Sequence, residues 1–474
     1  MIVGDRVKRP RLIVVGLDCA PPSIVFDRYR GAMPTIARAM GRGLWGPLRS
    51  TVPPITVPAW ASMTSGRDPG ELGLYGFRNR SARVAYAMTT STSDDVHVDR
   101  LWDLVERAGK KAAALYVPPT WPPPKTSATI VSCMLTPGPD VVHTQPSTLA
   151  QELHSRFGPH TPDLDDDGTL DADGVLEALL AMSRQHFDVA EHVLTTRDPD
   201  FLMMVELGTD RLHHALWPAM DPSDPRHDPS SPHGRGARDY YRYLDARIAQ
   251  LMGRAGDATL LVVSDHGARP LLGGVRVNEL LRRSGWLVLK NAPSSETALD
   301  LADVDWSRTR AWSEGGYYAR IFLNVRGREP EGALDPRAVD DAKRELQRLL
   351  ERIEENGTTI ESRLVRPEQA YREVNGVAPD LLCFFGDLTH RSLGGVGARN
   401  VLATIEEVEN DRGRGGANHD WDGIFVLAGP EIDPIGQVTG ASILDVAPTC
   451  LRLLGLDVPP EMRGVDLRSL QRVH

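Results

Sequence analysis

Cysteine is scarce and scattered: Cys19, Cys133, Cys383 and Cys450 are the whole supply in 474 residues, and no two form a CxxC pair. That spacing excludes a CxxC redox or metal motif and reads as four buried thiols in a reducing cytoplasm. Long apolar runs are also missing. The first, Leu12–Leu17, has the length of a strand, far below the about 20 residues of a membrane span. Residues 1–11 are charged, so neither a leader nor a membrane anchor is expected, and the chain is read as cytoplasmic. Nor is there an excess of basic charge. With 54 Lys+Arg against 64 Asp+Glu the formal charge is −10. This argues against coating a nucleic-acid polymer but leaves room for a locally positive pocket. No internal repeat or low-complexity tract stands out. What is present is an ordinary globular composition, 41% hydrophobic and 25% charged. The length suits one large α/β domain with insertions, or two domains, and leaves oligomeric state open, a homodimer being one candidate.

The most informative stretch runs from Leu260 to Gly267. Leu260-Leu-Val-Val263 is a short apolar run with the character of a buried parallel strand. Asp265 and His266 stand just past its carboxyl end, where open α/β sheets place their chemistry. Taken alone, the pair also fits an Asp cap followed by a surface His. A second such strand, Arg11-Leu-Ile-Val-Val-Gly-Leu-Asp18, ends in a carboxylate, and a third, Phe201–Leu207, leads into Gly208-Thr-Asp-Arg-Leu-His-His214. On a helix Asp210 and His214 share one face and can share a metal. His213 is turned about 100° away by the same geometry. Two prolines halt the chain before Thr56, and Pro58 suits the first turn of a helix. Thr56 then stands at or just before a helix amino terminus, which favours anions; a plain Thr N-cap is the alternative. Finally, Gly415–Asp420 reads as a flexible turn presenting His419 before the sheet resumes at Gly423–Gly429.

Helices are expected at Met33–Arg42, Leu101–Ala108, Val175–Thr196, Arg238–Gly253, Pro336–Glu355 and Ser442–Leu454. Further strands are expected at Leu44–Thr51, Ala112–Val117, Thr129–Met134, Tyr318–Val325 and Leu381–Phe385. His186 and His192 read as surface or interface residues. Residues 68–93 form an irregular loop, 162–174 a solvated acidic loop lacking the terminal Glu of an EF-hand, and 218–236 a polar loop. Residues 267–418 are a long excursion from the core.

Asp18, Asp210 and Asp265 with His214, His266 and His419 suit two divalent ions, zinc first and manganese or iron next. Such a pair clamps an in-line displacement at phosphorus, and coordination can activate a threonine hydroxyl. In order along the chain, Val14-Val-Gly-Leu-Asp18, Pro54-Ile-Thr56-Val-Pro-Ala-Trp60, Gly208–His214, Ser264-Asp-His-Gly267, Asn418-His419 and Asp445–Gly455 with Met462-Arg-Gly464 resemble the alkaline phosphatase superfamily. The resemblance spans Leu12–Leu467 and is nearest to the type I phosphodiesterase and nucleotide pyrophosphatase branch. It implies a three-layer α/β/α sandwich with a mostly parallel central sheet. The catalytic core would be residues 11–266 and 419–467, with 267–418 an inserted cap that sets specificity. It also implies Thr56 as nucleophile through a phosphothreonine. One metal would be held by Asp18, Thr56, Asp265 and His266, the other by Asp210, His214 and His419.

Where sulfatases carry Cys or Ser in a Cys/Ser-x-Pro-x-Arg frame, this chain reads Thr56-Val-Pro-Ala-Trp60, which argues against a sulfatase. Phosphoglycerate mutases of the superfamily use Ser, so Thr56 lowers that reading too. Nucleotide pyrophosphatases place an Asn where this chain has Phe77, with Asn79 two positions on. Asn79 is therefore the candidate phosphoryl contact in that loop, and Arg67, Arg78 and Arg80 are nearby cations that could hold a monoester's extra charge. Trp312, Tyr317, Tyr318 and Arg320 are candidate contacts from the cap. The expected activity is hydrolysis of a small phosphorylated metabolite, diester or pyrophosphate ahead of monoester. A phosphomutase or phosphonate hydrolase, and a catalytically silent metal-binding protein, are the alternatives.

Overall fold

The computed structural model describes residues 11–473 except 81, 84, 139, 165–168, 411, 412 and 415. Its centre is a ten-stranded mixed sheet. We label its main strands β1 (Leu12–Leu17), β2 (Leu44–Arg49), β3 (Ala112–Leu115), β4 (Thr129–Val131), β5 (Phe201–Glu206), β6 (Thr259–Val263) and β7 (Asp422–Ala428). They lie in the order β2-β7-β6-β1-β5-β3-β4, with the short strands Gly436–Gln437 and Ala441–Ser442 beside β2 and Thr144–Gln145 beside β4. β1 pairs in parallel with both β5 and β6, whereas β7 runs antiparallel between β6 and β2.

Both faces of the sheet are covered, which is why its central strands β1 and β5 are buried at every position rather than alternating. Ile13, Val15 and Leu17 of β1 face a cluster with the helices α2 (Ala172–Arg197), α3 (Gly208–Met220) and α4 (Pro232–Ala255). Leu12 and Val14 face the opposite cluster, with α1 (Thr56–Ser65), Leu101–Arg107 and Val446–Leu453. The result is the expected three-layer α/β/α sandwich.

Residues 267–418 carry their own five-stranded sheet, ordered Ala311–Glu314, Ala319–Leu323, Leu381–Phe385, Thr358–Val365, Arg352–Glu355. A separate hydrophobic cluster holds it to the helix Val339–Glu351, with Trp312, Phe322 and Leu346 at its heart.

Four expectations are corrected. The helix expected over 336–355 ends at Glu351, and Arg352–Glu355 turns back as a strand on Thr358–Val365. Helix α3 continues through Pro218 to Met220, although the proline has no amide to give the His214 carbonyl, and α4 begins at Pro232. The turn expected at Gly415–Asp420 is in fact a strand from Ala417, antiparallel to Gly267–Pro270, with His419 opposite Ala268. His186 is not a surface residue: it is buried and bonds the Thr161 carbonyl at 2.8 Å, stacking on Tyr116, while His192 is half-buried and contacts Glu152 at 2.6 Å. Among the described residues no helix is long and apolar enough to cross a membrane.

Candidate active site

Asp18 follows β1, Asp210 and His214 lie on the first turns of α3, and Asp265 and His266 follow β6. All emerge at the carboxyl end of three adjacent parallel strands. His419 comes from the Ala417–Asp420 strand, hydrogen-bonded to the backbone just after His266. Gly416, at φ +78°, lets this strand pass close over α3, since a Cβ there would stand 1.8 Å from the His214 carbonyl oxygen. The six candidate ligands are thus brought to one place from four parts of the chain, and all are buried.

Each carboxylate is pinned at one oxygen and bare at the other. The Trp60 ring N–H donates to Asp18 Oδ2 at 2.7 Å, the Cys19 amide to Asp265 Oδ1 at 3.1 Å, and Arg211 to Asp210 Oδ2 at 2.8 Å. Asp18 Oδ1, Asp265 Oδ2 and Asp210 Oδ1 have no hydrogen-bond partner. The imidazoles are each held at Nδ1. Nδ1 of His214, His266 and His419 lies 3.0, 3.1 and 3.1 Å from the carbonyls of Ala417, Gly267 and Pro54, so Nδ1 carries the proton and Nε2 the lone pair. Backbone carbonyls commonly fix metal-binding histidines in this tautomer.

The inward-facing atoms converge. His214 Nε2 is 3.2 Å and His419 Nε2 3.6 Å from Asp210 Oδ1; His266 Nε2 is 3.2 Å from Asp265 Oδ2 and 3.8 Å from Asp18 Oδ1. Asp210, His214 and His419 offer ligand atoms within 4.8 Å of one another, as do Asp18, Asp210 and His266. Asp210 therefore stands between the two groups.

Electrostatics point the same way. Burial, then Asp210, pushes the Asp18 carboxyl well above its ordinary range, and burial, then Asp18, does so for Asp265. Burial opposes ionisation of Asp210 too, but His214, His419 and Arg211 outweigh it and hold that carboxyl low. Burial holds His266 well below the ordinary imidazole value and lowers His419. Three buried carboxylates with orphaned oxygens are costly unless cations compensate them, and this donor set of carboxylates and neutral imidazoles fits two divalent ions.

Thr56 is the first residue of α1, with Ile55 at the cap position and no side chain capping the helix. Its hydroxyl is therefore not spent as an N-cap. It is buried, with Oγ1 3.4 Å from His266 Nε2. His213 turns away from the group, its Nε2 2.9 Å from the Tyr241 hydroxyl.

A cleft of about 480 Å³ opens beside these groups, its wall including Ile55, Phe77, Arg78, Arg211, Tyr317 and Arg320. Of the loop candidates, Arg78 lines it. Asn79 does not: its side chain accepts from the Tyr75 amide and donates to the Gly76 carbonyl and Ser91 hydroxyl, closing its own turn. Arg67 instead faces Glu71 and Glu461. Of the candidates from 267–418, Tyr317, Tyr318 and Arg320 line the cleft, while Trp312 is buried in that segment's own core against Phe322.

Sequence reasoning passed over three residues here. Arg211, inside the Asp210–His214 motif, joins Asp210 to Asp163, which it grips at 2.8 and 2.7 Å. Asp163 belongs to the segment expected as a solvated loop; 165–168 lie outside the described residues. Trp60, read only as an absent arginine, orients Asp18.

The family model for type I phosphodiesterase / nucleotide pyrophosphatase matches residues 12–392. No curated protein matches the sequence. Among solved structures, the chain is similar to phosphonoacetate hydrolase from Sinorhizobium meliloti in complex with phosphonoformate (TM-score 0.56, 15% identity, 93% of this chain and 94% of that one). It is similar also to human ectonucleotide pyrophosphatase / phosphodiesterase 5 (TM-score 0.54, 14% identity, 96% and 97%). An inactive threonine-to-alanine form of the murine counterpart in complex with AMP aligns with TM-score 0.51 at 14% identity, over 95% and 96%. These likenesses extend over nearly the whole chain and agree in fold. With its sheet, its ligand cluster and the family match all in register, the chain belongs to the type I phosphodiesterase / nucleotide pyrophosphatase family of the alkaline phosphatase superfamily and is a phosphoric ester hydrolase.

Proposed function

We infer that the chain hydrolyses a small phosphorylated metabolite through a phosphothreonine on Thr56, with diesters or pyrophosphates ahead of monoesters. The observation that carries this reading is the convergence of bare Asp18, Asp210, Asp265 and His419 atoms beside a threonine hydroxyl with no capping role. Asp18, Asp265 and His266 with Thr56 would hold one divalent cation, and Asp210, His214 and His419 the other, zinc being the first choice for this donor set. Bound there, the cations would lower the pKa of the attacking hydroxyl and water and neutralise charge at phosphorus.

The rest is work for the protein. The amino terminus of α1 directs its first N–H groups at the phosphoryl oxygens. Thr56 Oγ forms its bond to phosphorus as the bond to the leaving oxygen breaks, and the hydroxyl proton leaves for solvent. Water then adds to the same phosphorus from the vacated side, one of its protons replaces the one Thr56 Oγ lost as that oxygen departs, the other passes to solvent, and phosphate, or for a diester the phosphate monoester, is released. Segment 267–418 acts as the specificity cap, bringing Tyr317, Tyr318 and Arg320 over the substrate. The inactive threonine-to-alanine relative supports the role given to Thr56. The four free, buried cysteines suit the cytoplasmic location we assign.

A second reading, phosphonate cleavage, rests on the similarity to phosphonoacetate hydrolase. Turnover of bis-(p-nitrophenyl) phosphate, p-nitrophenyl phosphate and a phosphonate, each with zinc or manganese and in labelled water, separates these readings. Solvent oxygen must enter the released phosphate or phosphate monoester, and Thr56→Ala must abolish its formation. Unchanged turnover in that variant contradicts the proposal, and absence of turnover with every substrate and metal leaves the silent binding protein.

A further inference from the structure

The cleft wall is lopsided in charge. Arg78, Arg211, Arg320 and Arg391 line it, against the single carboxylate of Asp163. That carboxylate is already committed to Arg211, which also serves Asp210. Arg320 is the telling member. It is only 7% exposed, yet among the described residues it has no acidic partner; its guanidinium donates to the Arg78 carbonyl and lies 5.9 Å from the Tyr318 ring centroid. Buried guanidinium groups are ordinarily compensated by an acid. Its position is also built rather than incidental. Gly76 leaves the room, since a Cβ there would come 2.7 Å from an Arg320 terminal nitrogen and 3.1 Å from the Tyr318 hydroxyl. Arg391, 6% exposed, stands 4.5 Å from the centroid of Tyr317, whose other neighbours are His214 and His419. Positive charge thus extends from the cation site out along the cap side of the cleft.

We propose that this wall is a second anion subsite, in which Arg320, with Arg391 beside it, binds a carboxylate or phosphate carried by the leaving portion of the substrate. The preferred substrates are then doubly anionic, with the second charge a few bonds from the reacting phosphorus. A guanidinium meets an oxyanion with its planar fork, a contact that a neutral aryl or alkyl leaving group cannot offer. This inference rests on the phosphohydrolase reading of the same site, and its test is arranged to separate the two.

Binding to the metal-loaded protein is measured by calorimetry for propylphosphonate, 3-phosphonopropionate and 1,3-propanediphosphonate, three ligands that share the phosphonate and differ in their far end. In parallel, kcat/KM is compared for 4-methylphenyl phosphate and 4-carboxyphenyl phosphate. We expect one or both anionic-ended ligands to bind more tightly than propylphosphonate by about 10- to 100-fold, the worth of one charge-assisted contact. The better of the two identifies carboxylate or phosphate as the natural group. Arg320→Gln should erase the difference and Arg320→Lys keep part of it, which a merely structural role would not produce. Equal binding of all three ligands to the wild-type protein, or a preference that survives Arg320→Gln, overturns the proposal. Anionic preference in binding without turnover of either ester or of bis-(p-nitrophenyl) phosphate instead sinks the hydrolase reading and leaves the subsite standing.

Discussion

The hydroxyl of Tyr317 stands 3.2 Å from Nε2 of His214, and the ring of Tyr317 stacks on His419 at 3.8 Å between centroids. Because His214 Nδ1 is already committed to the Ala417 carbonyl, the tyrosine is the donor and Nε2 the acceptor. A cation at Asp210, His214 and His419 needs that same lone pair, so metal and Tyr317 compete for it. Tyr317→Phe should therefore tighten the second cation by about 2- to 10-fold, the net worth of one hydrogen bond. Competition against a fluorescent zinc chelator measures this; weaker binding in the variant would mean the tyrosine helps hold the cation.

Trp60 makes the opposite prediction. Its ring N–H fixes Asp18 Oδ2 and so aims Oδ1 at His266. Trp60→Phe keeps most of the buried ring and removes the donor. Affinity at the Asp18 site should fall by about 10- to 100-fold, as is typical for partners that orient metal ligands. Equilibrium dialysis with zinc should show one site weakened and the other little changed; two unchanged sites would refute the orienting role.

Metal loading should also stabilise the fold. The pinned and bare atoms are assembled only in the native chain, so cations bind the folded state in preference to the unfolded one. At a free concentration of one hundred times Kd each site adds about 2.7 kcal/mol. Chelation should lower Tm, and zinc or manganese should restore it, in wild type but much less in Asp210→Asn. A Tm indifferent to chelation would contradict a cation site there.

The cap has its own pH dependence. Glu279 is buried, and burial alone would raise its carboxyl, but Arg282, Arg283 and the Gly397 amide outweigh burial and hold it down to about 2. A folded value below the unfolded one means stability that is fully present above the unfolded value and lost as pH falls through the folded one. The stability gap between wild type and Glu279→Gln should therefore be constant above about pH 5 and close as pH falls toward 2. Urea unfolding at pH 6, 4 and 3 reads this; a gap that widens on acidification would reverse the assignment.

The features legible in the sequence were those set by local periodicity and strand-end position. Asp18 and Asp265–His266 could be read because an apolar run ending in a charged residue marks a strand's carboxyl end, and the fold does place both there. Asp210 and His214 needed only helical spacing. What could not be read was decided by distant partners. His419 stands on a strand because Gly267–Pro270 pairs with it, and a Gly-Gly pair in isolation looks like a turn. Asp163 is indistinguishable from its acidic neighbours until Arg211 reaches it from α3. His186 occupies an ordinary helical position, and contacts with Tyr116 and Thr161, from outside its helix, make it an interior residue. Asn79 lay at a plausible distance along the loop, but its side chain closes the turn it sits in.

The central claim is that Thr56 becomes phosphorylated during turnover. Acid quenching of the zinc-loaded enzyme with saturating bis-(p-nitrophenyl) phosphate, followed by peptide mass spectrometry, tests it directly. The account predicts a phosphorylated, or nitrophenyl-phosphorylated, Thr56 in the peptide that contains it, absent without metal. Steady product release with that threonine unmodified at every quench time, and with Thr56→Ala equally active, would contradict it.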